Sequence, residues 1–444
     1  RLGYPGHFAG GGESASAAGG QITPPIMGAA SFIMADFLEG PYTTVVIAAV
    51  VPALMHYVGV LAIVHLEARR LGLRSYPAES LPQLRAVWAA GWPTLLPLIA
   101  LITVLFSGYT PYMAAFLGIT LCVIVGFCTW RQPLSLLIPA AALWFVWTKW
   151  AEGTFSTELG VLLVFCITVG TLNPMPRQSF RRLLDSMHVA VQYALAVGAA
   201  GAAVGIVVGV INTTGIGFRL GFLVSNGAAE LADTLHTALA ILPFEAFELS
   251  AIQLFLSLCF IAMACILMGA GLPTTALYVM LVSVAQPALA QLGVPALASH
   301  MFVLYYGVIS EITPPVCASA YAAAGIAGAN PFRTGLSAFS LGMGKLVVPM
   351  VFVYAPVMLI MVPGEWDLAE FLQVSLSCAA GVFAFAVAIT GYYAGRVPGV
   401  LRLALVVGGI ALLAPGWQSD LVGLGLGALV ALRQHRLERR AALR

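Results

Sequence analysis

The tetrapeptide Ile-Thr-Pro-Pro occurs twice in this chain, at residues 22–25 and again at 312–315. Around it, residues 20–48 align without a gap to residues 310–338. Two consecutive prolines remove two backbone donors and bar the residue before each from helical geometry. A helix must therefore open at each copy. Because both copies lie in apolar sequence, the duplication predicts a membrane transporter built from two related halves.

Composition supports a chain that is dissolved in lipid. Of the 444 residues, 60% are hydrophobic and 9% are charged, and the mean hydropathy is +0.96. Soluble domains carry about 25% charged residues. The net charge of +2 argues against a nucleic-acid partner, which would need a basic face. The seven cysteines stand singly in apolar runs, which predicts small core residues and neither a disulfide framework nor a metal cluster.

Apolar runs of about 15–25 residues predict membrane crossings. The first crossing is predicted at 20–36, broken at its proline pair, and the second at 42–66. Residues 251–290 are interpreted as a re-entrant hairpin, and the amphipathic segment 216–248 is predicted to lie along the interface. Further crossings are predicted at 93–107, 110–130, 133–150, 158–172, 189–212, 299–325, 335–361, 371–393, 399–414 and 420–433.

The distribution of arginines gives these crossings an orientation. With the hairpin counted as re-entrant, the arginine-bearing loops and the Arg-rich C-terminal tail fall on the cytoplasmic side, as the positive-inside rule requires. Counting its first arm as a full crossing would place Arg333 and Arg396 outside. The same assignment runs the two Pro-Pro segments in opposite directions, so the repeats are predicted to be inverted.

The predicted fold is therefore an all-α polytopic membrane protein with inverted repeats, broken helices and a re-entrant hairpin. Residues 1–66 form the first repeat part, and 67–172 form a linking part with additional crossings. Residues 173–361 form the second repeat with its arm, hairpin and broken helix. Residues 362–444 form C-terminal crossings and a basic tail.

Backbone opened at membrane depth is tolerated where it is buried in protein or lines a cavity. The freed carbonyls, with the hydroxyl of Thr23 or Thr313, predict a cage for a hard cation such as Na⁺; the alternative is a packing kink. The turn Gly269–Ala276, GAGLPTTA, is predicted at the hairpin tip, where it would face Thr313 and share an ion with it. Its alternative is an ordinary surface turn.

Glu311 precedes the second Pro-Pro segment, and its counterpart in the first is Gln21. A carboxylate inside the membrane is costly and usually functional, so Glu311 is a candidate to carry a proton, to help bind Na⁺, or to pair with a neighbour as an anchor. Lys345 is a candidate for attracting an anionic substrate, although snorkelling or pairing at a helix end fits it better. The histidines at 56, 65 and 300 lack metal-ligand company and are predicted to be satisfied or interfacial.

These motifs resemble the large membrane subunit of the tripartite ATP-independent periplasmic (TRAP) transporters. The stretches GGQITPPIMGAASFIMADFL and VHLEARRLGL are most similar to the fused permeases that work with TAXI-type binding proteins, and so are MGAGLPTTALYV and SEITPPVCASAYAAAGIAGANPFRTG. The resemblance covers roughly residues 1–30, 36–75 and 180–360.

The resemblance implies an elevator-type importer in the bacterial inner membrane, in which a periplasmic binding protein delivers an organic anion and an ion gradient drives uptake. It also implies that a first hairpin tip and a fused small subunit lie upstream of Arg1. The implied ion-binding residues are Gly20, Thr23, Pro24, Gly269, Gly271, Pro273, Thr274, Thr275, Thr313 and Pro314, with Gln21, Ser310 and Glu311 as candidates for substrate contact or coupling.

Two other functions remain open at this point. One is a stand-alone symporter for organic anions, driven by Na⁺ or H⁺. The other is a polytopic membrane enzyme, which the sequence disfavours because it has no Gly-x-Ser-x-Gly, His-Glu-x-x-His or Gly-x-Gly-Asp motif. The chain also has no Walker A sequence, which argues against direct ATP drive within it. Hydroxyl and carbonyl ligands favour Na⁺ as the coupling ion, whereas Glu311 leaves H⁺ open.

Overall fold

The computed structural model describes residues 3–73, 81–127, 176–239, 249–269, 274–414 and 416–442. Within these residues the chain is helical and has no β-strand, so the predicted all-α polytopic class is confirmed. The predicted crossings at 133–150 and 158–172 lie outside the described residues. The helices are α1 (Gly6–Gly20), α2 (Ala29–Phe37), α3 (Tyr42–Arg70), α4 (Leu84–Gly91), α5 (Leu96–Phe106), α6 (Pro111–Phe127), α7 (Pro176–Thr214), α8 (Ile216–Leu239), α9 (Leu249–Met268), α10 (Thr274–Gln291), α11 (Ala296–Ser310), α12 (Ala318–Ala327), α13 (Pro331–Leu341), α14 (Gly344–Tyr354), α15 (Leu368–Thr390), α16 (Gly399–Leu413) and α17 (Trp417–Ala442).

The chain divides into two compact units. One comprises Arg1–Arg74 and Ala200–Arg444, and the other comprises Ser75–Ala199. In the second unit, α5 packs against α6. The first unit holds both Pro-Pro segments, and its central helix is α11, in which every residue from Leu297 to Ser310 is buried. The helices α9, α10 and α14 pack around α11.

Several helices are apolar and long enough to cross a bilayer. By length and composition, the described residues contain four such helices or helix pairs: Tyr42–Arg70, Leu249–Met268, Pro331–Tyr354 and Leu368–Thr390. Shorter apolar helices include α5, α11, α12 and α16. A polytopic membrane protein accounts for this number of apolar helices.

Each Pro-Pro pair interrupts a helix, as the sequence predicts. The helix α1 ends at Gly20 and α2 begins at Ala29, while α11 ends at Ser310 and α12 begins at Ala318. The peptide bonds Pro24–Pro25 and Pro314–Pro315 are both cis. The predicted start of the first crossing at residue 20 is wrong, because the helix before the break already begins at Gly6. Its sequence is rich in Gly, Ala and Ser, so its apolar signal is weak.

Small residues let α1 lie close to its neighbours. This helix packs against α12 and α13, and the hydroxyls of Ser14 and Ser319 lie 2.7 Å apart across that contact. Side chains without bulk allow two helix backbones to approach closely inside a membrane. The residues buried on α1 are Gly10, Gly11, Ser14, Ala15, Ala18 and Gly19.

We expect Gly11→Ala to destabilise the protein and Gly12→Ala to leave it as stable or more so. A Cβ at Gly11 would lie 2.8 Å from the amide nitrogen of Ala338, whereas one at Gly12 would meet only a Leu341 methyl at 3.9 Å. Overpacking costs about 1–3 kcal/mol, while alanine is favoured over glycine in a helix by about 1 kcal/mol. Thermal unfolding of both variants in detergent measures this difference, and equal melting temperatures would contradict the packing of α1 on α13.

Candidate functional site

The two Pro-Pro segments share a local hydrogen-bond pattern. The hydroxyl of Thr23 donates to the Gly19 carbonyl at 2.6 Å, and the hydroxyl of Thr313 donates to the Ile309 carbonyl at 2.7 Å. Each threonine thus closes the end of the helix that precedes its break. Within the described part of the chain, the carbonyls that accept no hydrogen bond at the two breaks are those of Ile22, Pro24, Met27, Ile312, Thr313 and Pro314. The breaks therefore free carbonyl oxygens.

Glu311 connects three separate segments. Its Oε2 accepts a hydrogen bond from Nε2 of Gln21 at 2.7 Å, and its Oε1 accepts a hydrogen bond from the hydroxyl of Thr274. Gln21 belongs to the first Pro-Pro segment and Thr274 begins α10. The carboxylate is half-buried, so these charge-assisted bonds form partly out of water.

Gln21 and Glu311 are also counterparts in the repeat, 290 residues apart. A residue that touches its own counterpart lies on the axis relating two copies, as in the self-complementary contact of a symmetric dimer. The pair therefore marks the place where the two Pro-Pro segments meet. The sequence singles out both residues, but the contact between them joins distant parts of the chain and is a finding of the structure.

The end of α9 also approaches this place. Gly269 follows that helix, and a Cβ on it would lie 2.0 Å from the hydroxyl oxygen of Ser310 and 2.4 Å from the Ser310 Cβ. Glycine is therefore the residue that permits this approach. The Ser310 hydroxyl donates to the Gly307 carbonyl at 2.6 Å. Both described flanks of the GAGLPTTA turn, Gly269 and Thr274, thus reach the second break.

The predicted second site is therefore brought together in part. Thr274 contacts Glu311 and Gly269 contacts the neighbouring Ser310, and Thr313 and Pro314 follow shortly after in the chain. Thr275 stands beside Thr274 in the first turn of α10 and is half-buried. The two remaining predicted residues, Gly271 and Pro273, lie outside the described residues.

The first segment has different surroundings. Gly20 is exposed, and a Cβ on it would meet nothing described within 4 Å. The close approach is at Gly19 instead, where a Cβ would lie 2.9 Å from both Nε2 of His56 and the hydroxyl of Tyr57. The Thr23 hydroxyl oxygen also lies 3.2 Å from the Tyr57 hydroxyl. The sequence signal that could have found Gly19 is the Gly-Gly pair that ends α1.

Two buried polar side chains stand near this first segment. Lys345 is fully buried, and its ammonium donates to the Ala15 carbonyl at 3.0 Å. Both favoured interpretations are therefore wrong, because the side chain does not snorkel to the interface and its ammonium binds within α1 and not at a helix end. His56 is also fully buried, and within the described residues neither of its ring nitrogens makes a hydrogen bond. The prediction of a satisfied histidine is thus wrong for His56 but right for His300, whose Nδ1 lies 2.6 Å from the Tyr278 hydroxyl.

The charges at the two breaks have opposite signs. Glu311 places a carboxylate at the second break, and the buried ammonium of Lys345 binds the Ala15 carbonyl in the C-terminal half of α1, the helix that leads into the first. The two charges interact electrostatically. They form no direct ion pair, because among the described residues only Arg70 and Glu67 bring an ammonium or guanidinium nitrogen within 4.0 Å of a carboxylate oxygen.

The donor set of the second site fits a hard monovalent cation. It consists of the Glu311 carboxylate, the hydroxyls of Thr274, Ser310 and Thr313, and free carbonyls at the break. Hard cations prefer oxygen ligands of this kind. A transition-metal site is not indicated, since the part of the chain that the structure describes holds no cluster of three His, Cys, Asp or Glu side chains.

Comparison with known proteins identifies a protein family that matches the chain. Neither a curated protein nor a solved structure matches the chain. Residues 1–364 match the model of one protein family, described as the tripartite ATP-independent periplasmic transporter, DctM component. That range contains both Pro-Pro segments, the α9–α10 turn and the buried Lys345. Since the match covers most of the 444 residues, the chain belongs to the DctM family of membrane components of TRAP transporters.

Proposed function

We propose that this chain is the permease subunit of an ion-gradient-driven importer of small organic anions, namely carboxylates, in the bacterial inner membrane. A TAXI-type periplasmic binding protein would deliver the substrate, and a small membrane subunit would be fused upstream. The observation that carries the proposal is the hydrogen-bonded position of Glu311 between Gln21 and Thr274. It makes one carboxylate common to both Pro-Pro segments and to the α9–α10 turn.

The proposed coupling follows from the free-energy cost of keeping Glu311 ionised. A negative charge that is half-buried at membrane depth is costly, and two hydrogen bonds offset only part of the cost. Na⁺, when bound, supplies one positive charge. The oxygens of Thr274, Ser310 and Thr313 would then converge with Glu311 on one centre, and the α9–α10 turn would be held to the second break.

Holding that turn in place links the ion to the substrate. A ligand shifts a conformational equilibrium only by its differential affinity for the two states. An α9–α10 turn fixed by Glu311 and Thr274 would favour the state that takes up the anion. A moving domain that contains both Pro-Pro segments and the α9–α10 turn would then cross the membrane against a scaffold of long crossings, in the manner of an elevator. Glu311 thus serves both as a coupling residue and as the joint between the repeats.

Uptake into proteoliposomes tests the coupling ion. We expect the intact protein with its binding protein to accumulate radiolabelled mono- or dicarboxylates when a Na⁺ gradient is imposed, and to show no uptake with a pH gradient alone. Uptake driven by the pH gradient alone would make Glu311 a proton carrier instead. Undiminished uptake without the binding protein would favour the stand-alone symporter.

A further inference from the structure

Lys345 has no task in the proposed function, yet its position is costly. Its side chain is fully buried, and its described hydrogen-bond partner is a backbone carbonyl, that of Ala15. Charged lysines are rarely buried without a partner of opposite charge. Within the described residues no carboxylate oxygen lies within 4.0 Å of its ammonium. An ammonium whose partner is a main-chain oxygen is bound in the way that a carbonyl site binds a metal cation.

The ammonium lies at the first Pro-Pro segment, although Lys345 itself belongs to the second repeat. Ala15 precedes Gly19 by one turn of α1, about 6 Å along the helix. The Gly19 carbonyl receives the Thr23 hydroxyl. The residue before Lys345, Gly344, packs against the backbone of His56, whose ring in turn reaches Gly19. These contacts place the ammonium about one helical turn before Gly19, whose carbonyl accepts the hydrogen bond of Thr23 from the predicted first ion site.

The C-terminal half of α1 suits a positive charge. Helix carbonyls point toward that end and give it a partial negative charge, which cations stabilise. The first segment has no carboxylate of its own, because Gln21 stands where the second segment has Glu311. Met55 occupies the position in the first repeat that corresponds to Lys345 in the second. The two breaks are thus alike in backbone but differ in charge.

We propose that Lys345 is a tethered cation at the first Pro-Pro segment, so that Gly20, Thr23 and Pro24 do not bind a free ion. The protein would then bind a single mobile cation, at the second segment beside Glu311. The location of that single ion rests on the proposed function, whereas the exclusion of an ion from the first segment does not. The sequence-based prediction of an ion site at each Pro-Pro segment would be replaced by one tethered and one mobile charge.

Coulomb's law gives the expected loss of cation affinity at the first Pro-Pro segment. Two like unit charges about one to two helical turns apart, in the effective dielectric of a partly hydrated protein, repel strongly enough to weaken cation binding on the order of 10- to 100-fold. A site with millimolar affinity for Na⁺ would then be half filled only at roughly 10–100 mM Na⁺, and it would stay largely empty at low-millimolar Na⁺. Removing the ammonium should restore that affinity, provided that the Thr23 oxygens and the free carbonyls remain in place.

Na⁺ itself is the probe for the experiment. The intact protein in detergent is titrated with NaCl against choline chloride while thermal unfolding is followed, and bound ²²Na⁺ is counted by equilibrium dialysis. Wild type should bind one Na⁺ per chain, and Glu311→Ala should lose it. Lys345→Met, which removes the charge but keeps an unbranched apolar chain, should gain one Na⁺ and a new sodium-dependent rise in melting temperature. Adding Thr23→Val to that variant should remove the gain.

The outcomes separate the two proposals. Two Na⁺ bound to wild type, or no gain in folded Lys345→Met, would overturn the tethered cation, and would favour a counter-charge for the anionic substrate. No Na⁺ bound to wild type would contradict sodium coupling but would agree with an excluded first site. If Lys345→Met does not fold, the wild-type count decides, because one or none supports the tethered cation and two refutes it.

Discussion

Replacing Glu311 with alanine is expected to reduce substrate uptake on the order of 100-fold. The change removes the acceptor of two hydrogen bonds, from Gln21 and Thr274, and the negative charge proposed to attract the coupling ion. A hydrogen bond to a charged group contributes about 1.5–3 kcal/mol, and a 100-fold loss corresponds to about 2.7 kcal/mol. Initial uptake rates in proteoliposomes measure the effect. Glu13→Ala is the matched control, because Glu13 is an exposed carboxylate on α1.

The exchange variant Gln21→Glu with Glu311→Gln separates anchoring from coupling. Because the two positions face each other at 2.7 Å, exchanging them keeps one carboxylate and one amide in contact but moves the charge into the first repeat. We expect the exchange to melt closer to wild type than Glu311→Ala does, because the contact between the repeats survives. Uptake should stay low, because Thr274 loses its carboxylate. Full recovery of uptake would make Glu311 a structural anchor.

The broken helices could be predicted from the sequence because their cause is local. A Pro-Pro pair acts on its own backbone and on the residue before it, and the helix ends at Gly20 and Ser310 follow directly. Apolar runs do not predict the start of α1, because this helix is rich in glycine, alanine and serine. A further duplication could have revealed it, since Leu-Gly-x-Pro occurs at 2–5 and at 292–295, immediately before α1 and α11.

The site itself was predictable in its residue types but not in its contacts. The sequence singles out Glu311, Thr274 and Gly269 because of their chemistry, and the structure brings them to one place. The pairing of Lys345 with Ala15 joins residues 330 positions apart. No local pattern encodes such a pair, because burial of the lysine depends on how α14 packs in the folded protein. For the same reason, no local pattern predicts that His56 lies close to Gly19.

Replacing Gly269 with alanine is expected to reduce uptake by a factor of about 10–100. The new Cβ would fall 2.0 Å from the Ser310 hydroxyl oxygen and 2.4 Å from its Cβ, so the α9–α10 turn must move away from the second break. A displacement of about 1 Å at a binding site can lower a rate by about 100-fold. Uptake kinetics, measured with surface expression of the variant, test this. Gly307→Ala is the control. Gly307 also lies beside Leu277, but a Cβ there would meet only a Leu277 methyl at 3.6 Å, an ordinary contact.

A second substitution makes the cause specific. Ser310→Gly removes both atoms that the new methyl group would strike, but it also removes a proposed ion ligand. The double variant Gly269→Ala with Ser310→Gly should therefore transport as well as Ser310→Gly alone, with no further loss from the alanine. The Leu277 methyl, 2.8 Å from the new Cβ, lies at the end of a flexible side chain and can turn aside. Because the two sites are in contact, their effects should be strongly non-additive. Additive losses would mean that Gly269 and Ser310 act separately, and the α9–α10 turn would then have no direct part in forming the ion site.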